Sequence, residues 1–230
     1  MDVTVGIVSY NQERFLPRAI ESALGASEII VVDDCSTDRS VEIASRYPVK
    51  LIVHNSNSGS LIQGWNDIIE AATGEWLFLL SSDDELAPKT LQLIEENKEG
   101  ADWMWGRLET IDEESRPDGE WPMDLGEFPI TVGNCKNYMR GMLSLYPTMV
   151  AAFRVSWLRE NNLRAVGFKT TKQYADTLTG WNWLKANPRL RYIPEVFARY
   201  RRWGGAESAR GNPSIYQQEF AQILRDEERK

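Results

Sequence analysis

Short apolar runs alternate with stretches of helical spacing through the first half of the chain. Val3 to Val8 reads as a strand with Gly6 inside it, and Ser9-Tyr10-Asn11 as the turn at its end, with Asn11 placed to cap a helix. Phe15, Leu16, Ala19, Ile20, Ala23 and Leu24 then share one helical face, which Gly25 closes. Glu28 to Val32 is a second strand, and it runs into Asp33-Asp34-Cys35-Ser36-Thr37-Asp38. Val41, Ile43 and Ala44 mark a helix that Pro48 ends. Leu51 to Val53 is a third strand, Asn55 to Gly59 a loop, and Ser60 to Ala72 a helix. After Gly74 comes Trp76 to Leu80, a run fitted to a strand buried on both faces. It stops at Asp83-Asp84, and Pro88 opens a helix to Asn97.

Four alternations of strand and helix argue for a parallel, right-handed βαβ sheet. In such a sheet ligands bind beyond the carboxyl ends of the strands. Asp33-Asp34 and Asp83-Asp84 both fall there, so two acidic clusters should surround one crevice. Carboxylates in that position can accept from a base or a ribose, or hold a hard cation against phosphate. Neither a G-x-G-x-x-G nor a G-x-x-x-x-G-K-[ST] loop is present, so bound phosphates would need a metal. The plainer reading of Asp83-Asp84 is a polar loop that caps the next helix.

The second half is less regular. Ala101 to Ile111 reads as a strand with Trp103 and Trp105 on one face, Asp112 to Phe128 as an acidic loop, and Asn134 to Leu145 as a helix. Thr148 to Phe153 is a short strand and Val155 to Asn161 a helix. Asp176 stands before Leu178, Trp181 and Leu184 at the start of another helix. Leu190 to Ile193 and Val196 to Tyr200 read as two strands separated by Pro194. Ser214 to Arg229 is an amphipathic helix that either docks on the body or pairs with a second copy.

Composition narrows the class. The 230 residues suffice for one α/β domain with a core, and no linker divides them. A net charge of −8 disfavours nucleic acid and allows at most peripheral membrane contact. Two cysteines make no disulfide framework, and the start lacks the pattern of a signal peptide, which together lead to a cytoplasmic expectation. One histidine, His54, excludes a His-rich metal site and reads as structural. Tryptophans 103, 105, 121, 181 and 183 are read mostly as packing, with stacking on sugars as the alternative.

Val8-Ser9-Tyr10-Asn11, Ile30 to Asp38, Asn57-x-Gly59 with Asn66, and Ala72 to Trp76 ending in Asp83-Asp84 closely resemble family 2 glycosyltransferases. The match is specific over residues 3–90 and visible to about residue 205. The resemblance implies a GT-A fold: a Rossmann-like, mostly parallel sheet flanked by helices, with a smaller acceptor-side portion. It divides the chain into a nucleotide-sugar half (1–100), an acceptor-side half (101–205) and a C-terminal helix (206–230). It also implies inverting transfer from a nucleotide diphosphate sugar, UDP-linked by expectation, to a hydroxyl of a glycan, glycolipid or glycoprotein, with Mn²⁺ or Mg²⁺. By position, Ser9 and Tyr10 would line the base site, and Asp34 would accept from the base, with Asp33 beside it. Asp83 would meet the ribose side and share the metal with Asp84. Asp176 matches the general base, and its plainer reading is a helix N-cap. Arg201 and Arg202 are the diphosphate candidates, with a solvated strand edge as the alternative.

Three positions depart from the family's commonest form, Ser81 for an aspartate, Trp203 for a histidine and Ala175 for the glutamate that often precedes the base. They motivate a second hypothesis, a catalytically inactive nucleotide-sugar-binding or scaffold module. A nucleotidyltransferase ranks last, because no Gly-rich, basic loop follows the first strand.

Overall fold

A computed structural model describes residues 1–120, 131–134, 136, 151–169, 174–205 and 213–229. The first half is β1 (Val3–Ser9), α1 (Leu16–Ser22), β2 (Glu28–Asp33), α2 (Ser40–Ala44), β3 (Lys50–Val53), α3 (Leu61–Ala71) and β4 (Trp76–Ser81). Then come β5 (Glu85–Leu86), α4 (Thr90–Asn97), β6 (Trp103–Ile111) and β7 (Pro117–Glu120). The described remainder is β8 (Ala151–Arg154), α5 (Val155–Glu160), α6 (Ala175–Leu184), β9 (Leu190–Arg201) and α7 (Pro213–Glu228).

The strands form one sheet in the order β3-β2-β1-β4-β8-β6-β9-β5, with β7 paired to β6. The pairs β2·β3, β1·β2 and β1·β4 are parallel, so their carboxyl ends share an edge. β8 runs antiparallel to both β4 and β6, and β6 is parallel to β9. Strand periodicity sorts the core into two layers. Leu77, Leu79, Ile30 and Val32 pack with Trp65, Ile68 and Ile69 of α3 and with Trp181 and Trp183 of α6. Trp76, Phe78, Leu80, Val5 and Ile7 pack with Leu16, Ala19 and Ile20 of α1 and Ile94 of α4. Gly6 and Gly64 let α3 lie directly on β1. A Cβ on Gly6 would stand 2.3 Å from Ile68 Cγ2, and one on Gly64 would stand 2.8 Å from Val8 Cγ2.

Several expectations need correction. Asn11 does not cap α1. It takes a positive φ of 52°, and its side-chain oxygen accepts from the Thr37 backbone N–H at 2.8 Å, so it ties two loops together. The acidic loop after β6 contains β7: Asp112 accepts from the Glu114 and Arg116 N–H groups, folding a tight turn that returns the chain along β6. β9 is one strand, because Pro194 and Glu195 sit in a register shift between Gly106↔Ile193 and Arg107↔Val196, where a missing N–H breaks no ladder bond. Most of the expected helix 134–145 lies outside the described residues, as does Trp121. Trp103, Trp105, Trp181 and Trp183 are core, which removes them as sugar platforms. α7 docks on the body through the fully buried Phe220, whose ring meets Trp181 edge-on at 5.7 Å. Among the described residues, no helix is long and apolar enough to cross a membrane.

Candidate active site

The parallel edge gathers the loops that follow β1, β2 and β3. The Asp34 N–H donates to the Ser9 carbonyl and the His54 N–H to the Asp33 carbonyl, each at 2.9 Å. Between them Tyr10 stands 47 % exposed, a large ring offered to solvent at the strand end. The Ser9 hydroxyl beside it is buried and has no hydrogen-bond partner among the described residues.

The first acidic pair divides its tasks. Asp33 is buried, and both its oxygens accept from Ser36, at 2.7 Å from the N–H and 2.6 Å from the hydroxyl. It shapes the turn, with one bond from Ser36 on each oxygen. Asp34 is only 4 % exposed. Its Oδ1 lies 2.7 Å from His54 Nδ1, and its Oδ2 accepts from the Ser58 N–H at 3.0 Å and the Ser58 hydroxyl at 2.9 Å. The Ser58 N–H also reaches Oδ1 at 3.1 Å, so His54 and Ser58 hold both oxygens in place. Burial pushes its pKa up, but the bonds from His54 and Ser58 outweigh that and hold it below the usual range. His54, in turn, reaches Asp67 Oδ2 of α3 with Nε2, also at 2.7 Å. Burial would lower its pKa, yet the two carboxylates raise it.

The second pair is arranged differently. Arg201, fully buried at the end of β9, donates Nε to the Asp83 carbonyl at 2.8 Å and Nη1 to the Asp112 carbonyl at 2.6 Å. Its Nη2 reaches Glu85 and Ser115. Only its backbone N–H touches the Asp84 carboxylate, at 2.9 Å. Asp83 Oδ2 accepts from the Trp203 indole N–H at 3.0 Å, and Trp203 meets Phe15, just before α1, edge-on at 5.0 Å. Burial raises the pKa of Asp83 and raises Asp84 well above the usual range, with the neighbouring Asp83 charge adding to the latter. Arg201 therefore builds the loop from behind and is closed to a diphosphate, which corrects that expectation. Arg202 is half exposed and paired with Asp118 at 2.8 Å.

Two adjacent carboxylates with little cationic compensation suit a hard divalent ion. Among the described residues no group of three or more His, Cys, Asp or Glu side chains could hold a metal. One or two carboxylates are the usual protein share where substrate phosphates and water complete a Mg²⁺ shell. Trp203 can only donate, and its indole N–H clamps Asp83.

Asp176 lies in the first turn of α6, two residues after the N-cap, so it is not the cap of its plainer reading. The N-cap position belongs to Tyr174, in the left-handed region at φ 57°. A Cβ on Gly167 would stand 2.2 Å from Ile62 and 4.0 Å from the Ala175 Cβ. The start of α6 therefore meets the start of α3, at the edge where the strands end.

Known proteins bear on this arrangement. The family model described as glycosyl transferase family 2 matches residues 4–160. Succinoglycan biosynthesis protein ExoO of Rhizobium meliloti is 37% identical over 107 residues, 44% of this chain and 30% of that protein. Poly(ribitol-phosphate) beta-N-acetylglucosaminyltransferase TarS of Staphylococcus aureus is 31% identical over 102 residues, 40% of this chain and 18% of that protein. Among solved structures, TarS in complex with UDP-GlcNAc superposes with a TM-score of 0.73 at 21% identity, covering 92% of this chain and 62% of that one. The mannosyltransferase PcManGT of Pyrobaculum calidifontis with GDP-Man and Mn²⁺ gives 0.65 at 18% identity, covering 97% of this chain and 64% of that one. This chain spans less than half the length of the two curated relatives and under two thirds of the solved ones.

Proposed function

The chain belongs to glycosyl transferase family 2 and has the GT-A fold, and from that premise we propose that it transfers a sugar from a nucleoside diphosphate donor to a hydroxyl with inversion. The observation that carries the reading is the meeting of two acidic pairs and the exposed Tyr10 on one parallel edge. Tyr10 packs against the base and Asp34 accepts from its ring N–H. The Ser9 hydroxyl, lacking a partner among the described residues, suits the same pocket. Residues 1–100 hold the donor and 101–205 face the acceptor.

The leaving group is a diphosphate, whose negative charge needs a cation rather than a proton. Asp84, with Asp83, would hold Mn²⁺ or Mg²⁺ and supply that charge. Asp83 would also meet the ribose side, and the exposed Arg202 would approach the diphosphate. Asp176 takes the proton from the acceptor hydroxyl as it attacks, and a single in-line displacement inverts the anomeric carbon. The donor is UDP-linked, with TarS in complex with UDP-GlcNAc as the supporting neighbour and the GDP-Man complex as the reason to test guanine too. The acceptor belongs to a glycan, glycolipid or glycoprotein. No comparison favours the binding-only alternative.

The test follows nucleotide release from UDP-GlcNAc and GDP-mannose with water as acceptor. Asp176→Asn should lower turnover by about 10²–10⁴ while leaving nucleotide affinity unchanged. Turnover at the wild-type rate would remove Asp176 as the base.

A further inference from the structure

His54 is the one histidine of the chain, and nothing in the chemistry above uses it. Its side chain is 8% exposed, and both ring nitrogens lie 2.7 Å from carboxylate oxygens, Nδ1 on Asp34 and Nε2 on Asp67. A neutral imidazole has one N–H and would turn a lone pair on one of those carboxylates. The geometry is complete only for the imidazolium. The placement is equally constrained: the His54 N–H is bonded to the Asp33 carbonyl, so the ring is pinned at the end of β3 against the end of β2. Asp67 anchors the other side from α3, and Ser58 closes on Asp34 from the intervening loop.

We propose that His54 is a positioning residue for the donor nucleotide, acting as an imidazolium that holds the Asp34 carboxylate toward the base and offsets the negative charge of the crevice. This rests on the reading of Asp34 as the base acceptor. Two effects then act in one direction when the ring loses its proton. The clamp between β2 and α3 loses one of its bonds. The cluster of Asp34, His54 and Asp67 passes from one net negative charge to two, beside a ligand that is itself an anion. Asp34 and Asp67 are the charged groups that bear on the ring, and their bonds and charges favour the protonated form over the opposing effect of burial. Nucleotide affinity therefore falls as pH rises through the His54 titration.

A single histidine makes the measurement direct, because its ring-proton resonances need no assignment. Its titration is read by NMR, and UDP and GDP affinities are read by calorimetry with saturating Mg²⁺ over the same pH range. Wild type, Asp67→Asn and His54→Gln are compared, and the titration of the nucleotide itself cancels between them. The expected wild-type result is a roughly tenfold loss of affinity, the scale of one hydrogen bond between charged groups, centred on the NMR midpoint. Asp67→Asn, a conservative change at a partly exposed position, should move both midpoints to lower pH together, and His54→Gln should show no such step. Affinity that stays level through the NMR midpoint, or a binding midpoint that ignores Asp67→Asn, overturns the proposal while the donor site stands. Absence of UDP and GDP binding at every pH overturns the donor site and the proposal with it.

Discussion

The two Asp-Asp pairs are the same dipeptide at equivalent places, each just beyond the end of a parallel strand, and they are held in opposite electrostatic states. At Asp33-Asp34 every oxygen has a donor: Ser36 serves Asp33, and His54 with Ser58 serves Asp34. The Asp34 pKa is held down. At Asp83-Asp84 the nearest cation, Arg201, spends its guanidinium on two carbonyls, Glu85 and Ser115. Burial pushes both carboxyl groups up, and the Asp83 charge adds to the shift of Asp84. A satisfied carboxylate is a fixed acceptor for a neutral N–H. An under-compensated pair is a place where a divalent cation gains the most. The difference teaches that the function of each pair is set by what stands behind it.

Breaking the second site from behind should have the largest effect. Arg201→Met leaves Glu85 with Arg199 as its one cation among the described residues and removes the donors to two carbonyls, so urea unfolding should show a loss of about 3–5 kcal/mol. A loss below ~1 kcal/mol would mean that the network is dispensable. Next, Asp34→Asn keeps the shape but exchanges one acceptor for a donor, and UDP affinity should drop about tenfold with the fold intact, as read by calorimetry. Unchanged affinity would take Asp34 out of the base site.

The smallest effect sharpens the comparison by its sign. Asp84 titrates higher folded than unfolded, so the native state binds the extra proton and stability falls as pH rises through that range. His54, also raised, contributes stability that is complete below its unfolded pKa of about 6.5 and is lost as pH rises through its folded value. Asp34 runs the other way: its contribution is present above the unfolded value of 3.8 and is lost as pH falls through the depressed one. In metal-free buffer, Asp84→Asn should therefore raise stability above the Asp84 titration and flatten the fall as pH rises through it. Thermal melts across that range would show it, and a destabilised variant would mean that the charge is already compensated.

Much of the frame was legible because it depends on neighbours in sequence. Apolar runs at strand length, spaced by helical periods, placed β1 to β4, and the position of each Asp pair follows from where its strand stops. What was illegible depends on distant partners. Arg201 lies 117 residues from Asp84, and its burial could not be foreseen from an Arg-rich stretch that reads as exposed. His54 looked like a strand terminus, and its role appears only when α3 brings Asp67 to its second nitrogen. A histidine ending a strand on the same edge as an acidic pair was the available signal. β9 was split at Pro194 because a proline ordinarily interrupts a ladder, and only the register shift against β6 shows how it is tolerated.

The central claim is that one edge of the sheet reads a nucleotide with one acidic pair and holds its diphosphate through a cation with the other. Calorimetric titration of UDP and GDP, each with and without Mn²⁺, tests it most directly. The account predicts that one of the two binds, that Mn²⁺ strengthens it, and that Asp84→Asn abolishes the Mn²⁺ effect while leaving the metal-free affinity in place. Binding that is indifferent to Mn²⁺, or a Mn²⁺ effect that survives in Asp84→Asn, would contradict it.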